Sequence, residues 1–275
     1  MTKTISIQGE AASFHAIAAG RYFGSELELL GQETFLGTFD ALREGKADYA
    51  VAALENSLFG SINEVYDLLQ RHKFWICGEV YLRIEQCLIG LPDARIDMIR
   101  EVHSHPVALA QCEQYLDTML KQAERFEHHD TAGSVADIKR WADPAKAAIA
   151  GSAAAKLHGM KILAREIETN KQNYTRFVVL SREILPNESA NKTSLILSTD
   201  HQPGALYNAL GTFANRGLNL SKLQSRPIVG KAWHYVFYVD VNAGTQSKKL
   251  KDAIAELQQQ NCTVSILGSY VSDGH

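Results

Sequence analysis

The chain lacks an excess of positive charge, closely spaced cysteines and long apolar runs. Its formal net charge is -3 at pH 7, which argues against the basic surface of a protein that binds nucleic acid or an anionic membrane. The cysteines are isolated, with no CxxC pair, so neither a zinc site nor a disulfide framework is predicted: Cys77, Cys87, Cys112 and Cys262. No apolar run reaches membrane-spanning length, and the first residues do not resemble a signal peptide. We therefore expect a cytoplasmic protein that binds a small molecule, with no nucleic-acid or membrane partner.

Several common site motifs are also missing. There is no GxGxxG after the first predicted strand, no GxxxxGK[ST] and no GxSxG, so dinucleotide sites, nucleoside triphosphate sites and a hydrolase serine nucleophile have no support. Four histidines raise the possibility of a metal site, but their spacing lacks the cysteine or carboxylate partners typical of zinc and iron: His103, His105, His128 and His129. We therefore predict no metal and no cofactor.

Short apolar strands alternate with amphipathic helices over the first two thirds of the chain. The predicted strands cover 4–7, 49–54, 75–90, 125–128, 147–150 and 174–180. The predicted helices cover 14–24, 38–44, 62–71, 106–120, 134–141 and 152–158. This alternation predicts an α/β fold with mainly parallel sheets and helices on both faces.

A polar stretch at 185–192 has the composition of a linker. It predicts a first domain at 1–184 and a second at 193–275. In the second domain the predicted elements are strand 193–198, helix 204–216, strands 219–226 and 233–241, helix 246–259 and strand 263–271. This βαββαβ order predicts a ferredoxin-like fold, with two helices on one face of a four-stranded antiparallel sheet.

A hydroxyl and a guanidinium stand side by side at the start of the strand predicted at 174–180. Side chains alternate along a strand, so Thr175 and Phe177 should share one face while Arg176 points to the other. The pattern favours a site for a small acid at the strand edge. It is also compatible with a structural role for all three residues.

Polar residues stand immediately before several predicted helices. Helix capping alone would account for each of them, because Ser, Thr and Asp satisfy the free N–H groups of a first turn. They are Ser57, Ser104 with His105, Asp130 with Thr131 and Ser134, and Gly151 with Ser152. If several of these helix starts meet in one cleft, their N–H donors and partial positive charge would bind a carboxylate. The carboxyl edge of an α/β sheet is the usual place for such a cleft.

Taken in order, these loops resemble the motif series of the prephenate dehydratases. The matching motifs are Ser13-Phe14, Leu54-Glu55-Asn56-Ser57, Ser104-His105-Pro106 with Gln111-Cys112, Asp130-Thr131-Ala132, and Asn173 to Phe177. The second domain resembles the ACT regulatory domain of that family, with Gly204-Ala205-Leu206 and Ser225-Arg226-Pro227. The resemblance covers the full chain.

The resemblance implies two α/β subdomains with the substrate between them, as in periplasmic solute-binding folds, followed by an ACT domain that senses phenylalanine. It implies conversion of prephenate to phenylpyruvate, water and carbon dioxide without a cofactor, in a homo-dimer or homo-tetramer. Thr175 would be the catalytic donor, and Arg176 either a carboxylate clamp or part of a stiffening ion pair. The implied substrate-binding residues are Ser13, Phe14, Asn56, Ser57, Ser104, His105, Gln111, Thr131, Ala132, Arg176 and Phe177. The implied phenylalanine-binding residues are Gly204, Ala205, Leu206, Asn219, Leu220, Gln224, Ser225, Arg226 and Pro227.

The chain departs from the family pattern at three places. Gln224 stands where a Glu is usual, Gln86 stands where a His often precedes the cysteine, and 8–12 is an unusual form of the first glycine-rich loop. A neutral amide at 224 would hold a ligand ammonium less strongly than a carboxylate. Nothing helical is predicted before Ile5, so we expect no fused chorismate mutase. The alternatives are an arogenate dehydratase, a non-catalytic amino-acid sensor and a metal-dependent hydrolase.

Overall fold

A computed structural model describes residues 2–228, 230–231 and 233–274. The outermost residues of the two predicted domains, 1 and 275, lie outside this part. Residues 1–68 and 80–177 cluster into one compact unit, and 69–79 and 178–275 into another. Each unit is described by itself, and the predicted domain boundaries stay predictions.

The elements follow one another along the chain in the following order. They are β1 (Lys3–Gln8), α1 (Phe14–Phe23), β2 (Leu27–Gln32), α2 (Phe35–Arg43), β3 (Tyr49–Asn56), β4 (Gly60–Ser61), α3 (Asn63–His72), β5 (Trp75–Arg83), β6 (Cys87–Gly90), β7 (Glu101–Ser104), α4 (Pro106–Gln111), α5 (Glu113–Met119), β8 (Glu124–Glu127), α6 (Thr131–Trp141), β9 (Lys146–Ala150), α7 (Ser152–His158), β10 (Lys161–Ala164), β11 (Tyr174–Ser181), β12 (Lys192–Ser198), α8 (Ala205–Ala214), β13 (Leu220–Pro227), β14 (Tyr235–Val241), α9 (Lys248–Gln259) and β15 (Thr263–Tyr270). A 3₁₀ turn at Ile96–Met98 precedes β7. Among the described residues, no helix is both long and apolar enough to cross a membrane.

The first sheet has the strand order β2-β1-β3-β11-β5, and β4 is attached to β3. Strand β1 pairs in parallel with both β2 and β3. Helices α1 and α2 pack against β1 and β3, and Ile5, Ile7 and Val51 of these strands are completely buried. The centres of these strands are buried because helices cover them, and the polar Ser6 of β1 is buried with its apolar neighbours.

The second sheet has the order β10-β6-β9-β7-β8. Its pairing is mixed, since β7 is parallel to β8 and β9 while β6 is antiparallel to β9 and β10. Consecutive residues of β6 enter different apolar clusters, Leu88 one and Ile89 the other. Both faces of the sheet are therefore buried. The α/β class is as predicted, with more antiparallel pairing than the sequence indicated.

The predicted strand at 75–90 is wrong in one respect, because it is two strands separated by residues 84–86. Strand β5 lies in the first sheet and β6 in the second. Between them the N–H of Ile84 donates to the carbonyl of Asn173 (2.7 Å). The N–H of Gln86 donates to the carboxylate of Glu168 (2.9 Å). These bonds replace the ladder bonds that a continuous strand would make.

The C-terminal elements form the predicted βαββαβ arrangement. Their sheet has the order β13-β14-β12-β15, and every described pairing is antiparallel. Helices α8 and α9 contribute Phe213 and Leu250 to one core with Leu195 and Val239 of the sheet. In the same compact unit an added Cβ at Gly268 of β15 would lie 1.9 Å from the carbonyl oxygen of Ile76. Only glycine allows that approach.

Candidate active site

A cavity of about 440 Å³ lies in the first compact unit. Its size falls in the range of small-molecule sites, which are mainly apolar with a few polar groups that fix orientation. Aromatic side chains form much of its lining: Phe14, His15, Phe35, Phe59 and Phe177. The polar residues that line it are Gln8, Ser13, Asn56, Ser61, Gln86, His105, Gln111, His129, Asp130, Thr131 and Thr175. The lining therefore suits a ring that carries several polar substituents.

Two helices begin at this cavity. Ser13 caps α1 by accepting a hydrogen bond from the N–H of Ala16 (3.2 Å), and Asp130 caps α6 by accepting one from the N–H of Gly133 (2.8 Å). Phe14 and Thr131, the first residues of the two helices, line the cavity. The earliest N–H groups of a helix have no partner within it, and they carry partial positive charge. Both helix starts are suited to an anion.

No lysine or arginine is among the described residues that line the cavity. A carboxylate bound there would be held by backbone N–H groups, hydroxyls and side-chain amides rather than by an ion pair.

The loop after β1 comes very close to the start of α6. Gly9 has a φ of +87°, and an added Cβ would lie 3.2 Å from Oδ1 of Asp130. Glycine tolerates this backbone conformation at no steric cost. It thereby allows the two loops to meet beside the cavity.

The side-chain amide of Asn56 has one permitted orientation. Its Oδ1 accepts hydrogen bonds from the N–H groups of Leu58 and Phe59 (both 3.0 Å). Backbone N–H groups only donate, so the amide nitrogen must face the other way. There it donates to Asn173 Oδ1 (2.7 Å) and Thr175 Oγ1 (3.0 Å). Thr175 therefore accepts from Asn56, and its own hydrogen remains available to a group in the cavity.

The start of β11 is braced by a second side chain. Ser57 donates from Oγ to the carbonyl of Gln172 and accepts from the N–H of Tyr174 (both 2.9 Å). Together with Asn56, it fixes the backbone that immediately precedes Thr175. A hydroxyl held in this way needs little reorganisation when it meets a ligand.

Burial favours the neutral form of His105, and the tautomer of that form is defined by its hydrogen bond. Burial lowers its pKa, and the nearby Asp130 and Glu127 carboxylates oppose that effect only in part. Its Nδ1 accepts a hydrogen bond from the N–H of Val107 (3.2 Å). The proton of the neutral ring must therefore be on Nε2. His105 lines the cavity as a hydrogen-bond donor.

His15 is also neutral. Burial lowers the pKa of its imidazole to about 4, and its Nε2 accepts from the N–H of Ala53 (3.2 Å). The ring packs edge-on against Phe177, with 5.0 Å between the ring centroids, and against Phe35 at 5.6 Å. It forms part of the aromatic wall of the cavity.

Other histidines have separate contacts. His103 stacks on Phe126, and its Nε2 lies 3.0 Å from a carboxylate oxygen of Glu101. His128 Nε2 lies 3.2 Å from Asp137. In the described part of the chain, no three His, Cys, Asp or Glu side chains are grouped closely enough to hold a metal ion.

The structure brings together eight of the substrate-site residues expected from the sequence. The residues that line the cavity are Ser13, Phe14, Asn56, His105, Gln111, Thr131, Thr175 and Phe177. The four that do not line it are Ser57, Ser104, Ala132 and Arg176. Ser104 is fully buried and donates to the carbonyl of Ile149 (2.6 Å). Arg176 is buried on the strand between Thr175 and Phe177, which both line the cavity.

The sequence did not lead us to expect several residues of the lining, notably His15, Phe35, Phe59 and Ile84. It indicated Gln86 only as a departure from the family pattern. The cavity positions of Ile84 and Gln86 were not expected because 75–90 was predicted to be one regular strand. Phe35 stands outside the expected helix 38–44, although Thr34 is an N-cap residue whose hydroxyl accepts from the N–H of Gly37 (3.0 Å). That threonine was the available signal for an earlier helix start.

The residues expected to bind phenylalanine lie at the start of α8 and along β13. Gly204, with a φ of +85°, is the N-cap residue of α8, and Ala205 and Leu206 form its first turn. Asn219 directly precedes β13, which is an edge strand and contains Leu220, Gln224, Ser225, Arg226 and Pro227. The side-chain nitrogen of Gln224 donates to the carbonyl of Ser225 (3.1 Å).

The fold is that of an α/β enzyme with a C-terminal ferredoxin-like domain. The cavity is suited to a small acid that contains a six-membered ring. Residues 5–184 match the family model for prephenate dehydratase, and residues 193–259 match that for the ACT domain. The chain belongs to the prephenate dehydratase family.

Two curated relatives are similar over nearly the whole chain. A bifunctional chorismate mutase/prephenate dehydratase from Enterobacter agglomerans is 34% identical over 98% of this chain and 70% of its own length. Arogenate dehydratase 2 from Petunia hybrida is 36% identical over 98% of this chain and 72% of its own length.

Two solved structures show the same fold. A protein described as a novel type of quorum quenching acylase is 32% identical, with a TM-score of 0.89 and 98% coverage of both chains. Prephenate dehydratase from Arthrobacter aurescens in complex with L-Phe is 27% identical, with a TM-score of 0.87, covering 98% of this chain and 90% of that one.

Proposed function

We propose that the chain converts prephenate to phenylpyruvate. In this elimination the ring carboxylate leaves as carbon dioxide, its bonding electrons enter the ring, and the C4–oxygen bond breaks. The departing hydroxide takes up one proton and leaves as water, so the dianionic substrate yields a monoanionic product. The observation that carries the proposal is the Thr175 hydroxyl, oriented by Asn56 in a cavity with an aromatic wall.

The substrate carboxylates would be bound at the starts of α1 and α6. Phe14 and Thr131 bring the first N–H groups of these helices to the cavity. The partial positive charge of a helix start supports an anion there without a lysine or arginine. The aromatic side chains would pack against the ring and keep out water.

Thr175 would assist the departing hydroxide. Its oxygen already accepts from Asn56, so its hydrogen can be donated to the substrate oxygen. A threonine hydroxyl is too weak an acid to protonate the leaving group by itself. Its effect is a hydrogen bond that strengthens as negative charge develops on that oxygen.

His105 would position the substrate and is not the source of the proton. Its neutral ring carries a proton only on Nε2, since Nδ1 accepts from Val107. Such a ring donates a hydrogen bond well but is a poor acid. The proton taken up by hydroxide would come from solvent.

Ser57, Ser104 and Arg176 would act through the strands that carry the site. The two serines make hydrogen bonds to backbone groups of neighbouring segments. Arg176 is buried on the strand that holds Thr175, which favours the stiffening role over direct binding.

The test is a comparison of Thr175→Ala with Thr175→Ser, in which phenylpyruvate formed from prephenate is measured. Loss of one preorganised donor typically lowers kcat by about 10²–10³-fold. We expect that loss for the alanine variant with a much smaller change in KM, whereas the serine variant should stay within about tenfold of the wild type. If both variants are folded and lose kcat equally, the Thr175 hydroxyl is not the group that assists the reaction.

Phenylalanine would act as an allosteric effector through the ACT domain of a cytoplasmic homo-oligomer. The structure of the Arthrobacter relative contains L-Phe, which supports this proposal. In this chain Gly204 precedes α8, and β13 spans Leu220–Pro227. Exposed apolar side chains of the second unit, Tyr207 and Leu223, fit pairing of subunits. The four cysteines form no disulfide, which fits a reducing compartment.

An acylase activity is the second candidate. It is favoured by near full-length similarity to the quorum quenching acylase. Hydrolysis of an acyl amide would use Thr175 or a bound water as the nucleophile. The same two variants assayed with an acyl-amide substrate would test it, because hydrolysis that does not depend on Thr175 would separate the two activities.

A further inference from the structure

Gln86 occupies the short segment that joins the two sheets of the first unit. The side chain is 2% exposed and lines the cavity. Its backbone N–H donates to a carboxylate oxygen of Glu168 (2.9 Å). The residue is therefore fixed at the cavity wall.

Only one of the two polar atoms of the Gln86 side-chain amide has a hydrogen-bond partner. Its Nε2 donates to Oε1 of Gln111 (3.1 Å), and Gln111 is anchored in turn because its carbonyl accepts from the N–H of Thr169 (2.8 Å). The Gln86 Oε1 is buried, and the described part of the chain offers it no hydrogen-bond partner. A buried acceptor left unpaired is destabilising, because it has lost its hydrogen bonds to water. A donor on a ligand in the cavity would remove that destabilisation.

The two substrate types of this reaction differ in the donors that they offer. The carboxylates and the side-chain carbonyl of prephenate only accept hydrogen bonds. The C4 hydroxyl can donate, but it is present in both substrates and so cannot distinguish them. Arogenate carries an ammonium group in place of the carbonyl. A cation is the strongest donor for a neutral amide oxygen.

We propose that Gln86 Oε1 accepts a hydrogen bond from the ammonium of arogenate, so that the chain dehydrates arogenate as well as prephenate. The reaction is the same elimination and gives phenylalanine, carbon dioxide and water. Gln86 is then the residue that determines how strongly the amino-acid substrate competes with the keto acid. This inference rests on the proposed function.

The test measures kcat/KM for both substrates in the wild type, Gln86→Met and Gln86→Glu. Methionine keeps the length and burial of the side chain but removes both the Oε1 acceptor and the Nε2 donor to Gln111. The loss of that donor affects both substrates alike, whereas the loss of the acceptor affects only arogenate. We expect kcat/KM for arogenate to fall at least about tenfold, as for the loss of a hydrogen bond to a charged group, while that for prephenate changes less than about threefold. In Gln86→Glu a carboxylate replaces the whole amide, so the donor to Gln111 Oε1 is lost but the acceptor is kept and becomes charged. The ratio of kcat/KM for arogenate to that for prephenate should therefore rise.

The matched control is Ser6→Ala. Ser6 Oγ is also buried without a partner within the described residues, but it does not line the cavity. We expect the ratio of the two kcat/KM values to stay unchanged in this variant.

Each remaining outcome has a distinct meaning. A wild type that turns over prephenate but not arogenate overturns the inference and leaves the proposed function intact. Equal losses for both substrates in folded Gln86 variants also overturn it, since a structural defect would have that effect. A wild type that turns over neither substrate overturns both proposals.

Discussion

At the scale of single residues, the site depends on side chains whose polar atoms have only one possible role. Asn56 is the clearest case, because two backbone N–H groups determine which end of its amide faces Thr175. An aspartate at this position would accept from the same N–H groups but would offer only acceptors to Thr175. The threonine hydrogen would then be directed at the carboxylate instead of the substrate.

His15 gives a residue-scale prediction about pH. Its pKa is lowered from 6.5 to about 4 in the folded protein, so the unfolded chain binds more protons between these values. Stability from this residue is complete above about pH 6.5 and is lost as the pH falls towards 4. In His15→Gln the side chain can still accept from Ala53 but does not titrate. We expect the loss of unfolding free energy between pH 7 and pH 5 to be smaller by about 1–2 kcal/mol than in the wild type.

Urea denaturation of both proteins at the two pH values would measure this difference. The quantity compared is the change in unfolding free energy between the two pH values in each protein. Contributions of the other titrating groups cancel because both proteins share them, and the lost packing against Phe35 and Phe177 cancels because it is the same at both pH values. An unchanged pH dependence would show that the imidazole is not kept neutral by folding.

At this scale the sequence identifies hydroxyl and amide residues but not which of their atoms are free. Alternation along the strand predicts that Thr175 and Phe177 share a face, and both line the cavity. The sequence pattern treats Ser57 and Asn56 alike. Only the fold shows that the polar atoms of Ser57 serve Gln172 and Tyr174, while Asn56 orients Thr175.

At the scale of elements, the start of α6 combines a structural cap with a proposed anion site. Asp130 accepts from the N–H of Gly133 (2.8 Å), and Thr131 lines the cavity. Replacement by alanine should lower the free energy of unfolding by about 1 kcal/mol, whereas asparagine can still accept and should stay within about 0.5 kcal/mol. Because a frayed first turn would move the N–H groups at the cavity, we also expect a higher KM for prephenate in Asp130→Ala.

The measurements are urea denaturation and steady-state kinetics of both variants. Asp130→Asn is the control, since it removes the charge and keeps the cap. If the asparagine variant lost as much stability as the alanine variant, charge and not capping would be the contribution of Asp130.

The elements that the sequence predicts poorly are those whose ends depend on tertiary contacts. Helix α7 begins and ends where predicted, at Ser152–His158. The predicted helix 106–120 is instead α4 and α5, separated at Cys112. Strands β2, β7 and β10 were not predicted. They are short or lie beside polar residues, and their pairing partners are distant in sequence, so a local apolar pattern carries little information about them.

At the scale of the whole molecule, the order of motifs along the chain was more informative than any one motif. The family models cover 5–184 and 193–259, which include every loop on which the resemblance rested. The partition into compact units was not visible in the sequence. The second unit takes in residues 69–79, where Glu79 forms a buried ion pair with Lys192 (2.7 Å) and also accepts from Ser272 (2.9 Å).

The proposed regulation by phenylalanine belongs to the scale of the whole molecule, and Gly204 provides its test. This residue has a φ of +85°, and an added Cβ would contact nothing within 4 Å. Alanine there changes the loop that starts α8 by backbone strain and not by a clash. If phenylalanine binds at this loop and prefers a less active arrangement, Gly204→Ala should raise the concentration needed for half inhibition at least about fivefold, because only a difference in affinity shifts the equilibrium.

The strain itself has to be separated from the loss of a binding site, and Gly159 offers a matched control. It has a φ of +66°, its added Cβ would also meet nothing within 4 Å, and it ends α7 in the first unit. Gly159→Ala should therefore carry a similar cost in stability with an unchanged response to phenylalanine. Phenylalanine titrations of prephenate turnover in the wild type and both variants make the comparison. An equal shift in the two variants would mean that general destabilisation alters the response, and no shift in either would place the phenylalanine site away from Gly204.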